Sequence, residues 1–203
     1  MTYCFKQLVV SGLLCSGLAV PAAAQVNCDM GEPAPNMPEG FAQFDFMVGD
    51  FVVMARRMTA DGWSPSIPLA RWNGRYALNG RAVMDWWHTP KDSGINIRLY
   101  DETGDLWKTA WTHTANLQTK ELHQKFDPET GRMKLWQVYP EGDERRIYFE
   151  TYADGGWARI DGRKDEDTGE WRDSIKLEAV PTPCIAGQSH MMPEPEAPAK
   201  PAE

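Results

Sequence analysis

Two aspartates stand in apolar runs where a carboxylate needs a reason: Asp85 in LNGRAVMDWWH (78–88) and Asp173 in WRDSIKL (171–177). The turns beside them predict which way they point. Asn79-Gly80 is a strong two-residue hairpin signal, and such a turn pairs Tyr76 with Val83, Gly74 with Asp85 and Trp72 with Trp87. The alternate face carries Arg71, Arg75 and His88, so the face of Trp72, Tyr76, Asp85 and Trp87 is expected inside. Further on, Asp154-Gly155 read as a two-residue turn pairs Phe149 with Ile160. The loop DEDTGE (165–170), with glycine in the left-handed position, pairs Gly162 with Asp173 and Ile160 with Ile175. These two turns predict Ala158, Ile160, Gly162, Asp173 and Ile175 inside, with Arg159, Asp161, Arg163 and Arg172 in water. Asp173 is then a second inward acid, again opposite a glycine.

An inward carboxylate can do one of three things. Desolvation can tune it toward neutrality as a general base. It can orient the polar group of a ligand, or simply accept bonds from an indole N–H or an arginine; left unpaired it is costly or stays protonated. Period two puts Trp107, Thr109, Trp111 and His113 on one face, with Lys108 on the other. The expected lining is therefore Trp72, Tyr76, Asp85, Trp87, Trp107, Trp111, His113 and Asp173. Apolar walls with a few convergent polar groups are how small-molecule sites are built. The same tryptophans serve equally well as plain core, and His113 as a hydrogen-bonded rim residue. His88 and His123 fall on the outer face. So do Trp86 and Trp136, which would form a contact patch in a purely structural module.

Arg98 hangs on the turn YDETGD (100–105). With Gly104 in the left-handed position, Leu99 faces Trp107 and Arg98 lies outside. A loop one residue longer sets Tyr100 against Trp107 and Arg98 against Thr109, bringing Arg98 in. Glycine chemistry favours the first.

The elements that must position these residues are strands. From Phe44 onward apolar residues alternate and turn signals recur about every 8–12 residues, which predicts about ten strands near 49–58, 66–78, 81–88, 94–101, 106–114, 119–127, 132–139, 145–153, 156–164 and 170–179. DPETGR (127–132) pairs Phe126, Gln124 and Leu122 with Met133, Leu135 and Gln137. The expected fold is all-β, a single antiparallel up-and-down β-barrel whose closure removes its edges.

Residues 1–25 read as an export signal: Lys6, an apolar run, then Ala22-Ala23-Ala24. The run is too short to span a membrane. Export removes Cys4 and Cys15 and leaves Cys28 and Cys184 near the ends of the domain, where an oxidising compartment favours a disulfide. Residues 26–43 are an N-terminal extension, 44–185 the barrel, and 186–203 a Pro/Ala/Glu tail without periodicity. The net charge of −8 has no basic stripe, which argues against nucleic acid and anionic membrane as partners. No HxH, HExxH or Cys/His cluster appears, no GxSxG and no phosphate-cradling glycine loop, so neither metal nor cofactor is expected.

FDFMVGDF (44–51), the Asn-Gly hairpin, IRLYDETGDLWKTAW (97–111) and DPETGRMKLW (127–136) together resemble secreted bacterial calycin-like (lipocalin-like) domains of unknown function. The likeness covers most of 44–180 and implies the barrel and export, not an activity. Phe51 stands where that family has tryptophan. The family pattern aligns Arg98, Tyr100, Trp107 and Trp111 on one face, which supports the longer turn. The haem-binding pattern Gly-x-Trp-x-Gly-x-Gly of related barrels is absent from VGDFVVM, so haem is not expected. Three functions follow as expectations: binding a small apolar or aromatic molecule; a cofactor-independent lyase or isomerase using Asp85 or His113, with Arg98; or a structural module with a filled core.

Overall fold

In a computed structural model, residues 29–139 and 146–183 are described; the expected leader, Cys28, Cys184 and the 186–203 tail lie outside the described residues. The chain forms strands β1 (Gly49–Thr59), β2 (Gly62–Trp63), β3 (Ile67–Ala77), β4 (Ala82–His88), β5 (Ser93–Asp101), β6 (Leu106–His113), β7 (Gln118–Asp127), β8 (Arg132–Tyr139), β9 (Arg146–Thr151), β10 (Trp157–Lys164) and β11 (Trp171–Pro181). Each long strand pairs antiparallel with the next, and β11 pairs back onto β1 from Phe51–Pro181 to Arg57–Ile175. Ten strands thus close an up-and-down barrel, and the two-residue β2 folds onto the end of β1. Among the described residues, closure gives every long strand a neighbour on both sides.

Four turns set the registers. At Asn79-Gly80 the pairs Tyr76–Val83, Gly74–Asp85 and Trp72–Trp87 form as expected. The turn itself is longer than two residues: Leu78, Asn79 and Gly80 all take positive φ, and the last strand pair is Ala77–Ala82. Adding one residue to each arm keeps the register. DPETGR also gives the expected pairs, Phe126–Met133, Gln124–Leu135 and Leu122–Gln137.

At YDETGD the longer loop forms, pairing Tyr100 with Trp107 and Arg98 with Thr109. Asp105, not Gly104, adopts the left-handed conformation. Arg98 is therefore inside and buried, against the placement that Gly104 favoured.

At Asp154-Gly155 the expectation fails by one residue. The loop is bounded by a bond from the Tyr152 amide to the Gly156 carbonyl, with Gly155 left-handed, and the strands resume at Thr151–Trp157. Phe149 then pairs with Arg159 rather than Ile160. Every β10 side chain is reversed: Trp157, Arg159 and Asp161 line the interior. Ala158 and Ile160 pack instead with Tyr148 in a separate outer cluster. Gly162 does pair with Asp173, but on that outer side. A bulge at Ser174, whose hydroxyl bonds the Asp161 carbonyl, then returns Ile175 and Leu177 to the interior.

The extension before the barrel is part of its core. A 3-10 segment, Glu39–Met47, closes one end and buries Phe41, Phe44 and Met47. Phe41 and Phe44 pack on Trp107 at 5.1 and 5.0 Å between ring centroids. Gly74 makes this possible, because a side chain there would collide with the Met47 backbone carbonyl. The space opposite Asp85 is therefore taken up by the plug.

Candidate functional site

A cavity of about 680 Å³ occupies the barrel away from the plug. Its walls include Trp72, Trp87, Trp111 and Trp157, with Leu122 and Leu135. Trp72 stands edge-on between two others, at 4.9 Å from Trp157 and 6.3 Å from Trp87. Aromatic faces at these angles are stable core geometry, and they also leave flat apolar wall toward the lumen.

The polar groups begin beneath this wall. Asp85 on β4 is fully buried and forms an ion pair with Arg98 on the neighbouring strand, β5. Its other oxygen accepts a bond from Asn96 Nδ2 at 2.7 Å. Asn96 and Arg98 both line the cavity, whereas Asp85 sits behind them. The guanidinium of Arg98 also lies 5.4 Å from the Phe44 ring and 5.5 Å from that of Trp72, held between the plug and the wall. Burial pushes the Arg98 guanidinium down from its ordinary value, to about 9, and Arg159 adds to the shift. Arg98 still carries its proton at neutral pH.

Several buried donors at this site have no partner among the described residues: Arg98 Nε, Gln124 Nε2, and the indole nitrogens of Trp72 and Trp157. Gln124 is fixed from its other side by Thr109, whose hydroxyl donates to Oε1 at 3.3 Å. Nearer the mouth, Arg159 grips Asp161 with two bonds of 2.8 Å each, and Arg56 bonds Glu178 at 2.9 Å.

The expected residues separate into groups. Trp72, Trp87 and Trp111 line the cavity, and Arg98 joins them. Asp85 acts through Arg98 rather than by contact. Trp107 and Tyr76 belong to the closed end: Trp107 is buried under the plug, and the Tyr76 hydroxyl donates to Asp45 at 2.6 Å. His113 does not line the cavity; its ring bonds Asp92 at 3.2 Å and stacks on Trp111. Asp173 is not inward at all. It accepts the Tyr148 hydroxyl at 2.9 Å on the outer side, a direct consequence of the longer turn at Gly155.

Asn96, Gln124, Trp157, Arg159 and Asp161 were missed. Three of these lie on β10 and came into view only with the corrected register. ADGGW held no local signal for this: Gly155 is the left-handed residue of the three-residue loop and would be left-handed in the two-residue turn as well. Among the described residues no cluster of His, Cys, Asp or Glu has the arrangement of a metal site.

The closed ten-stranded antiparallel barrel is consistent with a calycin-like fold. No family model matches the chain, and no curated protein matches it either.

Proposed function

We propose that this protein is an exported barrel that binds one small, largely apolar or aromatic molecule in its tryptophan-walled cavity. The observation that carries the reading is the cavity itself. Its volume of about 680 Å³ falls within the roughly 300–1,000 Å³ of typical small-molecule sites. Mostly apolar walls with a compact set of buried polar groups on one side suit a ligand that stacks on indole and is oriented at one end. Export rests on residues 1–25, and kinship with secreted calycin-like domains on the motifs at 44–51, 97–111 and 127–136.

The catalytic alternative has less to work with. Asp85 is engaged by Arg98 and Asn96, and His113 is engaged by Asp92 outside the cavity, so neither expected base faces bound substrate. A structural module with a filled core does not account for the open lumen.

The test is titration with N-phenyl-1-naphthylamine, a neutral aromatic fluorophore, into the wild type and a cavity-filling Leu122→Trp variant. The expected result is saturable binding with tryptophan quenching, lost in the variant while the fold is retained. Absence of saturable binding to the wild type, or equal binding by the folded variant, would remove the proposal.

A further inference from the structure

We infer that the cavity is built for an amphipathic organic anion: an apolar or aromatic body ending in an oxyanion such as a carboxylate, held by Arg98 and Arg159. This rests on the reading above that the cavity binds a small molecule, and it adds the chemical class.

The hydrogen-bonding inventory points this way. The carboxylates at the site are engaged: Asp85 by Asn96 and Arg98, Asp161 by both arms of Arg159. The Gln124 carbonyl already accepts from Thr109. What remains without a partner among the described residues is a set of donors, namely Arg98 Nε, Gln124 Nε2, Trp72 Nε1 and Trp157 Nε1. The last three cannot accept a hydrogen bond in any state, and a guanidinium cannot either. An acceptor group would satisfy those donors that turn toward the lumen when it binds, whereas a second donor would not. Buried polar groups are expected to be paired, so these four donors on side chains that line the lumen favour an acceptor as its occupant.

Charge makes the acceptor an anion. The cavity lining carries Arg56, Arg57, Arg98, Lys120 and Arg159 against Asp161 alone. Even after Asp85, Glu178 and Asp161 are set against Arg98, Arg56 and Arg159, and with Lys120 left out of the balance, Arg57 keeps the lining positive. This happens in a chain whose net charge is −8, so the positive lining is a local arrangement rather than an average property. Arg159 also lies close enough to Arg98 to disfavour its protonated state. Two like charges facing one lumen are relieved by an oxyanion between them, and a guanidinium fork suits a planar carboxylate well.

Two fluorophores that differ only by a sulfonate separate this inference from the one it rests on. N-phenyl-1-naphthylamine is neutral, and 8-anilinonaphthalene-1-sulfonate is its anionic counterpart. For the wild-type mature protein the anion is expected to bind roughly tenfold or more tighter, the worth of one good charge-assisted contact. Arg159 is part-exposed, so Arg159→Gln should fold, and unaltered far-UV dichroism checks this. That variant is expected to lower affinity for the anion several-fold more than affinity for the neutral probe. Equal binding of the two probes by the wild type, or an anion preference untouched in Arg159→Gln, would overturn the anion assignment and leave the cavity reading intact. Failure of both probes to bind would overturn both.

Discussion

Replacing Asp85 with asparagine isolates the energetics on which the site depends. The side chain keeps its shape and loses its charge, so the Arg98 guanidinium is left buried with Arg159 nearby and no carboxylate against it. Both partners are almost wholly out of solvent, at 0 % for Asp85 and 2 % for Arg98, so water cannot screen the loss. Breaking a buried pair from one side costs about 3–5 kcal/mol, far more than the pair is worth as a net stabiliser. For a domain of this size that is a fall in Tm of roughly 6–20 °C. Adding Arg98→Met removes the stranded charge while roughly keeping volume, and the amide introduced by Asp85→Asn can still bond Asn96. The double variant should regain all but ~1–2 kcal/mol. Urea unfolding followed by tryptophan fluorescence gives each value, provided the m-value is constant across the set. The two losses must then be strongly non-additive. An Asp85→Asn variant within ~0.5 kcal/mol of wild type, the range of ordinary surface changes, would refute a buried ion pair here.

Three further outcomes are expected. Gly74→Ala should destabilise by about 1–3 kcal/mol as an overpacked core site, because the new methyl meets the Met47 carbonyl and must displace the plug; a variant as stable as wild type in the same urea assay would show that the plug does not seat there. The Tyr100 phenol is pushed up to about 12 by burial, with its bond to Asp105 adding to the effect, and Tyr76 is raised further by burial and Asp45. Because the folded values lie above the unfolded one of 10.0, the stability linked to these phenols is intact below pH 10 and is lost as pH rises toward and through 12. Absorbance titration at ~295 nm, where the phenolate absorbs, should show these tyrosines ionising later in native protein than in urea, and coincident curves would count against the burial. Finally, protein expressed with residues 1–25 as an export leader and recovered from an oxidising compartment is expected to carry a Cys28–Cys184 disulfide, so its intact mass rises on reduction by the two hydrogens of the thiols; an unchanged mass would mean free cysteines.

The reach of the sequence can be judged turn by turn. Ten strands, their approximate limits and the single antiparallel meander follow from alternation and turn spacing, and Asp85 follows from the Asn79-Gly80 hairpin. That register survived an error in turn type because the real loop takes one residue more from each strand. At Gly155 the extra residue was taken from one side only, and period two then reversed all of β10. Gly155 takes positive φ, as it would in the shorter turn too, so local chemistry could not separate the two. At YDETGD the left-handed residue is Asp105 although a glycine stands beside it, because the register that buries Arg98 against Asp85 is set by strands β4 and β5.

What the sequence determined alone was therefore local and periodic: strands, most pairings, and a carboxylate aimed inward. The tertiary structure decided which cation meets that carboxylate, that Phe41, Phe44 and Met47 fill one end of the barrel, and that the other end stays open. These depend on how far side chains from strands distant in sequence reach across a closed lumen. No local pattern carries that distance.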